Sequence, residues 1–131
     1  MQKRLPSQLI SYLIYRIMKE EGATYGYEII KKLKEISNEH WDPSYGTIYG
    51  ALNRMEKKGL IERAEEGPED RKYYRLTGKG EETLKERKVE IEELGDDAQD
   101  MVLGFLNVYS NIYSEESFKG LIEKIKEEFE V

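Results

Sequence analysis

The segment from Ser44 to Thr77 restricts the fold of this chain more than any other feature. It reads SYGTIYGALNRMEKKGLIERAEEGPEDRKYYRLT. Ser44 can cap a helix, and Gly59 can end it because glycine accepts the left-handed conformation found just after many helices. Strand-like residues follow at 60–64 and 71–76, and the residues between these two runs are typical of a turn. The segment therefore predicts one helix followed by a two-stranded hairpin.

The predicted helix has two different faces. At 100° per residue, Ile48, Leu52 and Met55 share a face that can be buried. Two glycines on the opposite face would cost about 1 kcal/mol each relative to alanine, but they allow its backbone to approach another surface closely. This combination indicates a helix that lies against a polar, anionic groove. The residues of that face are Gly46, Gly50, Asn53, Arg54 and Lys57.

The returning strand of the hairpin is basic and aromatic. Side chains alternate along a strand, so Tyr74 and Leu76 should pack on the helices while the other side chains meet solvent or phosphate. An ordinary solvated helix and strand would also explain these residues, but a basic hairpin directly after a helix-turn-helix favours DNA. The candidate DNA-binding residues are Ser44, Tyr45, Thr47, Tyr49, Gly50, Asn53, Arg54, Lys57, Arg71, Lys72, Tyr73 and Arg75.

Two more helices are predicted before this segment. A broad apolar stripe indicates a first helix from about Ser7 to Glu21. A second helix should open around Thr24 and continue to Ile36. Three short helices and a hairpin predict a mainly α chain with a small β-hairpin, in which residues 1–80 form a winged helix-turn-helix domain.

Charge separates this domain from the remaining residues. Residues 1–80 contain 15 Lys and Arg against 12 Asp and Glu, which gives +3. Residues 81–131 contain 6 against 15, which gives −9. A basic face suffices for DNA binding on an acidic protein, because affinity depends on local neutralisation of phosphates. The simpler alternative is that solvated acidic helices follow a nearly neutral domain.

Residues 81–131 predict a C-terminal helical dimerisation segment. Gly95 either breaks the first helix there, with Asp96 as the next N-cap, or lies within one long helix. Ser114 should cap the last helix. A second copy of the chain is the favoured cover for so apolar a segment, and a pocket for a small hydrophobic effector is the alternative role of its aromatic residues. The predicted dimerisation residues are Met101, Phe105, Tyr109, Ile112, Phe118, Leu121, Ile122 and Ile125.

Catalytic and metal sites lack their components. The chain has no cysteine, and His40 is its only histidine, so thiolate chemistry, histidine triads and metal clusters are not expected. GTIYG neither follows a strand nor carries the lysine of a phosphate-binding loop. We therefore expect no enzymatic activity, no cofactor and no metal. No apolar run approaches the ~20 residues of a membrane span, so we expect a soluble, cytoplasmic protein without a membrane partner.

Several short motifs resemble the PadR family of transcriptional regulators. The resemblance implies a winged helix-turn-helix domain, a helical dimerisation segment, and a repressor that binds a palindromic promoter operator in double-stranded DNA as a homodimer. The motifs are Gly26-Tyr27-Glu28-Ile29, Gly46-Thr47-Ile48-Tyr49, Leu52, Arg54-Met55-Glu56, Gly59-Leu60-Ile61 and Arg71-Lys72-Tyr73-Tyr74-Arg75-Leu76-Thr77 with Gly80.

The resemblance also assigns a role to one residue. Tyr49 stands where the family has its DNA-contacting tyrosine, and Gly50 stands where the family has a proline. The rival hypothesis is a winged-helix module that binds another protein without sequence-specific DNA binding. Such a module would need an apolar outer face on the third helix, whereas the face here is polar and basic.

Overall fold

The computed structural model describes residues 7–65 and 71–131. These residues form two compact units, one that extends to Val89 and one of residues Glu90–Val131. The described chain is mainly helical with a small antiparallel sheet, as predicted. Its elements are α1 (Ser7–Glu21), β1 (Thr24–Tyr25), α2 (Gly26–Ile36), α3 (Tyr45–Lys57), β2 (Ile61–Ala64), β3 (Tyr73–Leu76), α4 (Gly78–Glu93), α5 (Gly95–Ile112) and α6 (Glu115–Phe129).

The core of the first unit lies between its helices and the inner face of its sheet. Ile14 of α1, Ile29 of α2 and Ile48 of α3 are completely buried. Tyr74 of β3 is also buried in this core, and Trp41 packs against it from the connection before α3. Both the inward face of β3 and the packing role of Trp41 are as predicted. Burying these side chains gives α3 a fixed position from which its other face can act.

Two glycines end helices, and the one after α3 is the glycine that the sequence predicts. Gly22 follows α1 with φ of +78°, and Gly59 follows α3 with φ of +74°. Other residues are strained in this left-handed region, which glycine adopts readily because it has no Cβ. The predicted start of α3 is also confirmed, since Ser44 is its N-cap.

The sheet has three strands where the sequence predicted two. β3 lies in the middle and pairs antiparallel with both neighbours, and Thr24 and Tyr25 pair with Tyr74 and Tyr73. The helix predicted to open around Thr24 instead begins two residues later, at Gly26, because Thr24 and Tyr25 form β1. A strand of two residues carries no periodic signal, and β1 exists only through its pairing with a distant segment. The turn predicted between β2 and β3, residues 66–70, lies outside the described residues.

The second unit contains the end of α4 and all of α5 and α6. The helix break considered at Gly95 is a single residue, Leu94, because α4 ends at Glu93 and α5 begins at Gly95. Asp96 was predicted as an N-cap, but the N-cap is Leu94 and Asp96 lies in the first turn of α5. An acid there still interacts favourably with the helix dipole. Ser114 caps α6 as predicted, and its side chain accepts a hydrogen bond from the Ser117 amide.

Candidate nucleic-acid interface

The start of α3 is fixed by two hydroxyl side chains. Ser44 Oγ accepts a hydrogen bond of 3.2 Å from the Thr47 amide, and the two side-chain oxygens are 2.9 Å apart. An N-cap of this kind stabilises a helix by about 1 kcal/mol. Both hydroxyls are therefore occupied within the first turn, and they order the end of α3 that carries Tyr45 and Tyr49.

Tyr49 is held in place from two sides. Its ring stacks on that of Tyr45, with centroids 5.9 Å apart and an interplanar angle of 10°. A Cβ placed on Gly26 would lie 2.7 Å from Tyr49 Cζ and 2.8 Å from its hydroxyl oxygen. The tip of the Tyr49 ring thus rests on the bare backbone at the start of α2. The ring is still 37% exposed, so Tyr49 is positioned before any ligand arrives.

The exposed face of α3 is polar over its whole length. Gly46, Asn53, Arg54 and Lys57 are exposed on this face. A Cβ on Gly50 would lie 3.4 Å from Arg54 Nη1, so the guanidinium extends back along the helix over that glycine. Of the two glycines predicted to let the backbone approach another surface, Gly46 is the less obstructed. The nearest atom to a Cβ placed there is 4.0 Å away.

The side chains predicted on the wing, the hairpin of β2 and β3, have different partners. Arg71 Nη1 donates a hydrogen bond of 3.0 Å to the Tyr25 hydroxyl, and its guanidinium carbon lies 4.7 Å from the centroid of that ring. The Tyr73 ring packs on the same tyrosine at 5.0 Å. Arg75 Nε pairs with Glu62 Oε1 at 3.1 Å. Glu62 therefore partly compensates the charge of Arg75, which weakens the attraction of Arg75 for phosphate.

A groove of about 570 Å³ lies between α3 and the wing. It brings together five of the predicted DNA-binding residues, whereas Tyr73 and Arg75 alternate with Tyr74 and point away from it. Burial raises the pKa of the Tyr74 hydroxyl, and the charge of Glu56 adds to this effect, so Tyr74 remains protonated. The described lining consists of Tyr25, Tyr27, Tyr45, Tyr49, Asn53, Arg71, Lys72 and Tyr74.

Three residues of this groove are not among the sequence-based candidates: Tyr74, which was predicted to pack inward, and Tyr25 and Tyr27. Tyr25 and Tyr27 flank Gly26, and Tyr27 is 56% exposed. Tyr25 reaches the groove because β1 pairs with β3, and nothing in the local sequence indicates that pairing. The one local signal is Gly26-Tyr27, which begins one of the motifs that resemble the PadR family.

The predicted dimerisation residues fall into two groups. Met101, Phe105 and Ile112 of α5 are 63%, 63% and 69% exposed. Tyr109, in contrast, stacks on Tyr113 with centroids 4.4 Å apart and approaches Phe118 of α6 at 6.5 Å. The remaining residues are half-buried: Phe118, Leu121, Ile122 and Ile125.

The described residues contain neither a candidate metal site nor a candidate membrane span. Within residues 7–65 and 71–131, no three His, Cys, Asp or Glu side chains are arranged to hold a metal ion. No helix among the described residues is long and apolar enough to cross a membrane.

Comparison with known proteins agrees with this architecture. The family model of the transcriptional regulator PadR-like family matches residues 14–86. Among curated proteins, the transcriptional regulator YqjI of Escherichia coli K12 is 34% identical over 70 residues, which are 53% of this chain and 33% of that protein. The matched region thus spans about a third of the length of YqjI.

Solved structures give the same result over a larger share of the chain. A transcriptional regulator from Clostridium thermocellum superposes with a TM-score of 0.61 at 32% identity, and the match covers 72% of this chain and 92% of that one. A PadR family transcription regulator from Clostridium difficile R20291 has a TM-score of 0.57 at 35% identity, with 71% and 97% covered. These relatives are regulators and not enzymes. The chain belongs to the PadR-like family of DNA-binding transcriptional regulators.

Proposed function

We propose that this regulator is a repressor that binds a palindromic promoter operator as a homodimer. Residues 1–80 would be the DNA-binding domain and residues 81–131 the dimerisation segment. The observation that carries the proposal is the exposed polar face of α3, which lies beside Arg71 and Lys72 of the wing. A helix of this size fits the major groove, and cations next to it can neutralise the phosphates of the groove wall.

Each part of the interface has a distinct task in this proposal. Tyr49, Asn53 and Arg54 contact base edges or ordered phosphates from α3, while Arg71 and Lys72 contact the backbone. Phosphate contacts set the position of the protein, and base contacts select the sequence. The other candidate residues of α3 and the outward-facing residues of β3 complete the proposed surface. They are Ser44, Tyr45, Thr47, Gly50, Lys57, Tyr73 and Arg75.

The second copy of the chain would cover the exposed stripe of α5. Met101, Phe105 and Ile112 lie within about 40° of one another around the helix axis, and each is more than half exposed. A contiguous apolar stripe of this kind marks an interaction surface. In a two-fold dimer the stripe would pack on itself and present two α3 helices about one helical turn, or ~34 Å, apart on DNA.

A small hydrophobic effector would act through the same segment. Tyr109, Tyr113 and Phe118 form an aromatic cluster between α5 and α6, and a flat ligand inserted there would change the angle between the two α3 helices. Calorimetric titration of the dimer–operator complex with flat aromatic compounds tests this step. An operator affinity that ignores every compound in the series would contradict it.

Alanine substitutions in α3 test the DNA-binding role. Tyr49→Ala and Arg54→Ala should each weaken operator binding by roughly 1–3 kcal/mol, because each removes a base or phosphate contact. Fluorescence anisotropy with a labelled operator measures the loss. Arg16→Ala is the matched control, since Arg16 is an exposed arginine of α1 outside the proposed interface. Unchanged affinity in both α3 variants would remove α3 from the interface.

A methyl group at Gly26 should weaken DNA binding without unfolding the domain. In Gly26→Ala the new Cβ would overlap the tip of the Tyr49 ring, which is the mobile end of a side chain and can move away. The ring would then leave its preset position, and we expect a loss in operator affinity of about 1 kcal/mol, comparable to one disturbed contact. Combining Gly26→Ala with Tyr49→Ala should add nothing further, since the displaced ring is absent. Additive losses would show that Gly26 acts independently of Tyr49.

A further inference from the structure

We propose that the groove between α3 and the wing is a seat for one DNA phosphate, with Tyr27 as a phosphate-binding residue and Tyr25 as a residue that positions Arg71. This inference rests on the proposed DNA-binding function and adds a contact made by the start of α2. Neither tyrosine is among the residues that the sequence predicts to touch DNA.

The chemistry of the lining points to an anion. Arg71 and Lys72 supply two positive charges, and Asn53 and the exposed tyrosines supply neutral polar groups. The described residues of this lining include no carboxylate. A phosphodiester carries one negative charge and two exposed oxygens, so it matches cations surrounded by neutral donors.

A second groove beside α3 provides the contrast. It has a similar volume of about 590 Å³ and also contains two lysines, Lys31 and Lys34. Three carboxylates line it as well, those of Glu35, Glu39 and Asp42. These acids compensate the lysines and repel phosphate. The three carboxylates therefore make the second groove the less favourable site for the DNA backbone.

Tyr25 fixes the arginine of the seat. Its hydroxyl accepts the 3.0 Å hydrogen bond from Arg71 Nη1, and its ring lies beneath the guanidinium at 4.7 Å. The Tyr73 ring also packs on Tyr25, with centroids 5.0 Å apart. An arginine held in this way loses less side-chain entropy when it binds phosphate than an arginine that samples many rotamers.

Unlike Tyr25, Tyr27 does not position another side chain through any of the contacts described for this region. Its side chain is more than half exposed, and it lines both the groove beside the wing and the second groove. No ring of another residue stacks on it in the described structure. Its exposed side chain is therefore available to a phosphate bound in the groove beside the wing.

A chemical double-mutant cycle tests the seat directly. Operator duplexes are prepared with a single neutral methylphosphonate at successive positions, and each is titrated with the full-length wild type, with Tyr27→Phe and with Tyr25→Phe. Tyr27→Phe should weaken binding to the natural duplex about tenfold, as expected for losing one hydrogen bond to a charged group. At one phosphate position per half-site, the methylphosphonate should cost Tyr27→Phe less binding affinity than it costs the wild type. At all other positions the two proteins should lose the same affinity.

The cations of the two grooves supply the matched control. Lys72→Gln should reduce the slope of log K against log[salt] by about 1, and Lys31→Gln should leave it unchanged. Tyr25→Phe should weaken the coupling between Arg71 and the same phosphate without a change in that slope. Equal slopes for Lys72→Gln and Lys31→Gln, or a methylphosphonate penalty independent of Tyr27 at every position, would overturn the seat even if the operator is bound tightly. Absence of specific binding by the wild type would instead contradict the proposed function itself.

Discussion

A negative charge in the apolar stripe of α5 is expected to separate the dimer into monomers and to weaken operator binding by about two orders of magnitude. Phe105→Glu and Ile112→Glu replace side chains that are 63% and 69% exposed in the single chain. In a two-fold interface each substitution appears twice, so two unpaired carboxylates would be desolvated close together. Sedimentation equilibrium measures the assembly state.

The loss in DNA affinity follows because a monomer has only one DNA-binding domain. Two linked binding modules bind about 10²–10⁴-fold more tightly than one, because the second contact forms within the same complex. Binding of these variants to a single half-site should be unchanged, since α3 and the wing are untouched. Titration of full and half operators separates the two effects.

Ser110→Glu is the matched control for the stripe. Ser110 lies about 180° around α5 from Met101, so the same charge is added to the same helix on the opposite face. This variant should remain a dimer with wild-type operator affinity. If it dissociates as readily as Phe105→Glu, or if Phe105→Glu remains a dimer, the stripe of α5 is not the dimer interface.

The second large effect is expected at Gly80, where α4 passes close to the end of α3. A Cβ on Gly80 would collide with the Leu60 carbonyl oxygen and lie 3.0 Å from Leu76 Cδ2. That carbonyl cannot easily move away, because it accepts a hydrogen bond of 3.1 Å from the Thr77 amide. Thr77 is itself held by its side chain, which donates to the Gly59 carbonyl at 2.7 Å and accepts from the Gly80 amide at 3.0 Å.

Gly80→Ala should therefore lower the free energy of unfolding by about 3 kcal/mol, near the upper end of overpacking effects. Alanine favours a helix by about 1 kcal/mol over glycine, so the overlap must exceed this gain. Urea denaturation of the full chain measures the change. Gly78→Ala is the control in the same helical turn, because a Cβ there meets nothing within 4 Å. It should be neutral or slightly stabilising, and equal stabilities for the two variants would refute the close contact.

Local signals predicted much of the first unit. Ser44 and Gly59 bound α3 as expected, because capping and left-handed turns depend on one or two residues and their immediate neighbours. The inward position of Tyr74 followed from alternation along a strand. These features can be inferred from a sequence because each depends on residues that are adjacent along the chain.

Features formed by distant residues were not predictable in the same way. The strand at Thr24–Tyr25 exists only through its pairing with β3, and so the position of Tyr25 beside Arg71 was not foreseen. The contact between the Tyr49 ring and the Gly26 backbone likewise depends on how α2 and α3 pack. For the candidate interface, the sequence indicated the polar face of α3 and the basic wing, whereas the groove between them and its two additional tyrosines required the packed structure.

The most direct test of the central proposal is selection of bound DNA from a random library by the full-length protein at a stated salt concentration. We expect enrichment of an inverted repeat whose half-sites are about 10–10.5 base pairs apart, the spacing for two α3 helices on one face of the duplex. Tyr49→Ala and Arg54→Ala should reduce or abolish the enrichment. Retention of DNA without any enriched sequence, or an enriched motif that is unchanged in both α3 variants, would contradict the proposal that α3 reads an operator.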